Sequence, residues 1–156
     1  MSPIPPFVVE LRELIGHRQL WLPAVTAVVL RGEEVLLTRR ADNGRWAPIT
    51  GLLDPGEHPA VGAVREAEEE ASVIVRAERL AATGVTPVIT HANGDLAVYL
   101  DLTFACSWVS GEARVGDDEN LEVAWWPLAA LPPMEDYLLE RIEAAASGET
   151  AARFLS

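Results

Sequence analysis

The sequence contains one cysteine, Cys106, so it has no internal disulfide and no multi-cysteine zinc site. No apolar run is long enough to span a bilayer as a helix. The opening stretch, "MSPIPPFVVELRELIGH", lacks a basic start followed by an apolar segment, so a secretory signal is not expected. Basic residues are scarce: 12 Lys and Arg face 24 Asp and Glu, for a formal net charge of −12. Such a surface repels polymeric nucleic acid and anionic membrane. It still admits a small phosphorylated ligand, provided a divalent cation mediates. The acidity taken alone is also what keeps a protein soluble. These features point to a cytoplasmic protein.

What is present is one domain's worth of chain, 156 residues that are 49% hydrophobic. "FVVELRELIG" reads as a short helix with Val8, Leu11, Leu14 and Ile15 on one side. "AVTAVVLRGEEVLLTRR" reads as two strands around a turn at Arg31-Gly32-Glu33-Glu34. "ADNGRW" is a loop, "APITGLL" a short extended piece, and Pro59 is well placed to open a helix that runs to Ser72. "VIVRAERLAAT" and "GVTPVIT" read as two further strands, and "HANGD" as a hairpin tip. "LAVYLDLTFACSWV" is a long apolar strand, "SGEARVGDDEN" a polar loop, and "LEVAWWPL" a last strand before an amphipathic helix closed by Gly148. The expectation is a single domain over 1–156 with a mixed sheet between helices, a helical extension at about 7–17 and a C-terminal helix at about 134–147.

The helix opened by Pro59 raises a question of charge. Ala60, Ala63, Val64, Ala67 and Ala71 form one stripe of small apolar residues, suited to close packing on a sheet. Beside it Glu66, Glu69 and Glu70 share a face at i, i+3 and i+4. Like charges at that spacing destabilise a helix, unless a hard cation sits among them. Magnesium suits such oxygen ligands. An acidic solvated face has the same pattern, so the wider spacing decides. Gly51 is followed by five residues and Glu57, then by seven residues and Arg65-Glu66, then Ala67, one residue, and Glu69-Glu70.

That stretch resembles the Nudix box, G-x5-E-x7-R-E-U-x-E-E-x-G-U with U apolar. Gly51, Glu57, Arg65, Glu66, Ala67, Glu69, Glu70 and Val73 match in register. Ser72 stands where the box has glycine, which predicts a slightly different exit from the helix. The resemblance implies an α/β fold, the Nudix α/β/α sandwich with a mixed sheet. It also implies hydrolysis of a nucleoside diphosphate linked to another group, with magnesium or manganese as cofactor. By the same resemblance Gly51, Glu66, Glu69 and Glu70 hold the metal, Arg65 and Glu57 brace the helix, and Arg65, Glu69, Glu70 and Glu119 form the catalytic set. Homodimers occur in this family, and the C-terminal helix suits either a core or an interface.

Residues outside the box complete the reading. Glu119, in the loop "GDDEN", resembles the family's late-loop acid, either general base or additional metal contact; Asp117, Asp118 and Glu122 are its neighbours and a solvated role stays open. Arg39 and Arg40 end a strand where the family contacts phosphate, with a surface ion pair as the alternative. Trp46 either stacks on a base or packs in the core. His91, Asn93 and Asp95 read first as turn residues. Pro87, fourteen residues past Val73, resembles a feature of ADP-ribose hydrolases. Cys106 alternates into the core, which argues against an isoprenoid diphosphate isomerase that uses a related fold. There is no EF-hand loop to support a calcium module. The remaining alternative is a Nudix-fold sensor that binds nucleotide without turnover.

Overall fold

The computed structural model describes residues 4–154. Helix α1 (Pro6–Ile15) leads into the long strand β1 (Leu20–Arg31), followed by β2 (Glu34–Arg40), β3 (Trp46–Ala47) and β4 (Ile49–Leu52). Helix α2 (Pro59–Ala71) is followed by β5 (Ile74–Val85), β6 (Ile89–Thr90), β7 (Leu96–Ser110) and β8 (Asn120–Pro127). A short 3-10 helix (Leu128–Ala130), helix α3 (Asp136–Ala146) and β9 (Arg153–Phe154) complete the chain. The strands make one mixed sheet with the central order β3-β2-β1-β7-β5-β9. β1 and β7 run parallel from Leu20↔Ala97 to Leu30↔Ser107, whereas β5 pairs antiparallel with β7.

Strand alternation assigns the two faces. On β1 and β2, Val25, Val29 and Leu36 join Ala63, Ala67 and Ala71 of α2 in one core cluster. Val28, Val35 and Leu37 join Ile142, Ala144 and Ala145 of α3 in the other. The result is the α/β/α sandwich expected from the sequence. β4 takes one edge of β1 at Ala24–Ala27, while β2 takes it at Leu30–Arg31, so the sheet forks between them. That fork brings Gly51 of β4 beneath α2.

Helix α3 is anchored by a buried polar group as well as by apolar packing. Arg141 pairs with Asp101 at 3.3 Å and donates to the Thr26 hydroxyl at 3.1 Å. Thr26 and Thr103 donate to the same Asp101 carboxylate at 2.7 and 2.6 Å, which satisfies this buried charge from both sides of the pair.

The apolar side of α1 is only partly covered: Val8 is buried, but Leu14 is 84% exposed. The helix is held by polar contacts, with Arg12 donating to the Leu96 carbonyl and pairing with Asp95. "IVRAERLAATGV" is one continuous strand, because three register shifts against β7, two of them at extra residues on β5 itself, absorb its irregularities without breaking the pairing. Ala60 belongs to the exposed side of α2, as it lies a turn before the helix meets the sheet.

Ser72 also departs from expectation. It takes the same left-handed exit that glycine would, at φ 58° and ψ 28°, and is the sole non-glycine with positive φ among the described residues. Its N–H closes the helix on the Glu68 carbonyl at 3.0 Å. A side chain in that conformation costs about 1–2 kcal/mol. Ser72→Gly is therefore expected to raise the melting temperature by roughly 2–8 °C and to leave any activity unchanged. A lower melting temperature would show that the serine side chain contributes more than the strain it causes.

Candidate active site

The glutamates of α2 owe their placement to its alanines. His58 caps the helix with extended backbone and Pro59 supplies its first turn. Ala63, Ala67 and Ala71 then seat the helix directly on the sheet. The flank of that stripe holds Glu66 and Glu70, one turn apart. Glu70 is only 4% exposed, and the Glu66 side chain 12%. Glu69 lies further round and is half exposed.

Arg65 braces this face. Its Nε and Nη2 donate to the two oxygens of Glu57 at 2.7 and 2.9 Å, and Nη2 also donates to the Leu52 carbonyl at 3.1 Å. Its Nη1 donates to Glu66 at 2.9 Å and to Glu69 at 3.1 Å. Every nitrogen of the guanidinium is thus committed to the protein. Glu57 in turn accepts the Asp54 N–H at 3.0 Å, which ties the preceding loop to the helix.

Gly51 explains itself at this point. A Cβ built on it would lie 2.0 Å from the Glu66 carboxyl carbon. The carboxylate therefore rests flush against the backbone of β4, where any side chain would displace it.

The late loop supplies more acid. Asn120, at the start of β8, approaches Glu70 with its amide nitrogen 3.4 Å from Oε2. Burial is the main reason the Glu70 carboxyl is raised well above its ordinary range, and the charges of Glu66, Glu119 and Asp117 add to it. Burial likewise pushes Glu66 up to about 7, against the pull of Arg65 and with Glu69 and Glu119 adding. The loop acid favoured from sequence is thus within electrostatic reach of both inward helix acids.

The two arginines that end β2 part company. Arg39 shares a register position with Trp46 and pairs with Glu122 at 2.9 Å. Arg40 donates to both oxygens of Asp42 at 3.0 and 2.7 Å. That bond is the main cause of its firmer protonation, burial opposes it, and the charges of Glu70 and Glu119 add. Arg40 therefore lies in the field of the site acids. Trp46 packs edge-on against Trp126, with ring centroids 5.3 Å apart, in the cluster under α3. His91, Asn93 and Asp95 form the hairpin tip, where Asn93 bonds Asp95 and Asp95 meets His17. Cys106 is buried in the α2-side core.

Among the described residues, no three His, Cys, Asp or Glu side chains close on one point as ready ligands. Arg65 Nη1 bonds both Glu66 and Glu69, so two of the helix acids are engaged by the guanidinium. The donor set is nevertheless all hard carboxylate oxygen, and two of its members are held in a buried, mutually repelling arrangement. That chemistry fits magnesium or manganese.

A pH effect follows. Glu66 titrates at about 7 in the fold against an ordinary 4.5. The folded protein then binds a proton that the unfolded chain has released, so cation-free stability falls as pH rises between those values and is lowest above 7. The loss is about 3 kcal/mol at the usual conversion. A cation needs the carboxylate form, so magnesium should raise the melting temperature strongly at pH near 8 and little at pH near 5. A magnesium-induced shift that is equal at both would contradict this assignment.

Asn120 and Gly116 escape a reading of the sequence. Asn120 adjoins the loop acids but carries no spacing signal, and the part played by Gly116 depends on a contact with α2.

A family model described as the NUDIX domain matches residues 20–146. An NAD-capped RNA hydrolase, NudC, of Pseudomonas aeruginosa is 33% identical over 114 residues, 72% of this chain and 38% of its own length. The chain therefore spans well under half of that relative. The crystal structure of an ADP-ribose pyrophosphatase from Streptococcus suis matches with a TM-score of 0.64 and 24% identity, over 86% of this chain and 98% of the other. The NUDIX domain of Shewanella oneidensis NrtR, solved with ADP ribose, matches with a TM-score of 0.61 and 22% identity, over 88% and 97%. These two structures establish a likeness of fold.

Proposed function

The chain belongs to the NUDIX family, and from that premise we propose that it is a divalent-cation-dependent hydrolase of nucleoside diphosphates linked to another group. The observation that carries this reading is the pair of inward acids one turn apart, Glu66 set flush against Gly51 and Glu70 buried beside it, both in the field of the loop acid Glu119. In this reading Glu66, Glu69, Glu70 and the Gly51 carbonyl hold the cation. Bound there, magnesium or manganese would neutralise the diphosphate and acidify a water. Arg40 exchanges its Asp42 partner for a phosphate oxygen, which a forked guanidinium suits. Glu119 accepts the proton of the attacking water at a carboxylate oxygen, with Asp117 beside it. Arg65 and Glu57 keep the helix and loop in register.

ADP-ribose and NAD-type dinucleotides head the substrate classes we propose, since the relatives' names point to both, with sugar nucleotides and nucleoside triphosphates following. The net charge of −12 opposes contact with an RNA body, so recognition of the small nucleotide end is the reading adopted. The test is a panel of these four substrate classes with magnesium, ranked by kcat/KM. Turnover of at least one class, abolished by chelation, supports a hydrolase. Tight ADP-ribose binding without turnover of any class would favour a sensor instead.

A further inference from the structure

The last turn of a helix leaves carbonyls without intrahelical donors. In α2 two of them are met by the loop between β7 and β8. The Gly116 N–H donates to the Glu70 carbonyl at 3.0 Å, and the Arg114 N–H to the Ala71 carbonyl at 3.1 Å. The approach is closer than a side chain permits. A Cβ on Gly116 would lie 2.1 Å from the Glu69 carbonyl oxygen and 3.0 Å from its carbon. These are backbone atoms of a packed helix and cannot swing aside. The loop is fixed again beyond the acids, where the Ala41 N–H donates to the Glu119 carbonyl at 2.8 Å. Asp117 and Glu119 therefore sit on a short span held at both ends.

We propose that Gly116 is a positioning residue: by letting the loop backbone touch the last turn of α2, it sets the separation of Asp117 and Glu119 from Glu66 and Glu70, and with it the cation affinity of the site. The proposal rests on the hydrolase reading above. With a side chain at this position the loop must retreat by about 1 Å or more. A misplacement of about that size can cost a hundredfold in rate.

The test compares wild type, Gly116→Ala and Val115→Gly. Val115 is exposed, so its replacement adds no atom and threatens no core, but frees the chain between the two docking bonds. Manganese affinity is measured by calorimetry without substrate, and hydrogen exchange is followed at the amides of residues 114 and 116. For Gly116→Ala, faster exchange and a roughly tenfold loss of manganese affinity are expected. For Val115→Gly, both should move the same way, with affinity falling about two- to fivefold. If turnover is present, kcat should fall in both with little change in KM. A purely structural role would lower the melting temperature and leave manganese affinity unchanged. Faster exchange with wild-type affinity in either variant overturns the proposal, as does unchanged exchange in both. If Gly116→Ala does not fold, Val115→Gly decides. Wild type that binds manganese but turns over nothing refutes the hydrolase reading and leaves the affinity comparison valid. Wild type that binds no manganese refutes both.

Discussion

Replacing Glu70 with glutamine is expected to lower turnover by about a hundred- to a thousandfold while making the cation-free protein more stable. The side chain is almost wholly buried beside Glu66, with the charges of Asp117 and Glu119 near. Without a cation, each of those charges works against ionisation of Glu70. Glutamine keeps the shape and can still meet the Asn120 amide, but has no charge to repel or to hold a cation. At pH near 8 the melting temperature of the cation-free variant should therefore rise, by roughly 2–4 °C for each kcal/mol of repulsion relieved. Its response to magnesium should shrink correspondingly. An acid that merely stabilised the fold through a partner would behave in the opposite way, since its loss would lower the melting temperature. Melting curves with and without magnesium, set beside turnover, separate the two. Turnover near the wild-type rate would sink the metal assignment of Glu70.

Gly51→Ala is expected to cost about a hundredfold or more in turnover with only a small change in stability. The added methyl would overlap the Glu66 carboxyl group, at 2.0 Å from its carbon and 2.2 Å from one oxygen. Those atoms end a flexible side chain, so Glu66 can rotate away, and β4 keeps its pairing with β1 at Val25↔Gly51. The fold survives, but one carboxylate leaves the site and the Arg65 contact to Glu66 is strained or broken. Manganese affinity should fall together with kcat. A variant that melts far below wild type would show instead that the contact is chiefly a packing constraint. One that binds manganese normally would show that Glu66 is not a ligand.

The sequence by itself determined most of the elements and the inward face of α2 from Ala63 onward. The small-residue stripe of α2, the one-turn spacing of Glu66 and Glu70, and the turn glycines are local patterns, because helix and strand periodicities act over a few residues. The spacing from Gly51 to Glu70 carried the family and the site helix for the same reason: loop and helix are adjacent in the chain. Tertiary structure decided what joins distant segments. Trp46 meets Trp126 through the pairing of β2 with both β3 and β8, so the sequence left its use open between base and core. Alternation along β2 gave Arg39 and Arg40 opposite directions, but only the folded neighbours Glu122, Asp42 and Glu70 gave them different surroundings. Of the apolar stripe of α1, Val8 is buried while Leu14 stays exposed, because a periodic stripe is buried only where another element arrives to cover it. The docking of Gly116 on Glu70 likewise spans 46 residues of chain, and no local propensity encodes a contact that exists only once the sheet has placed the loop against the helix end.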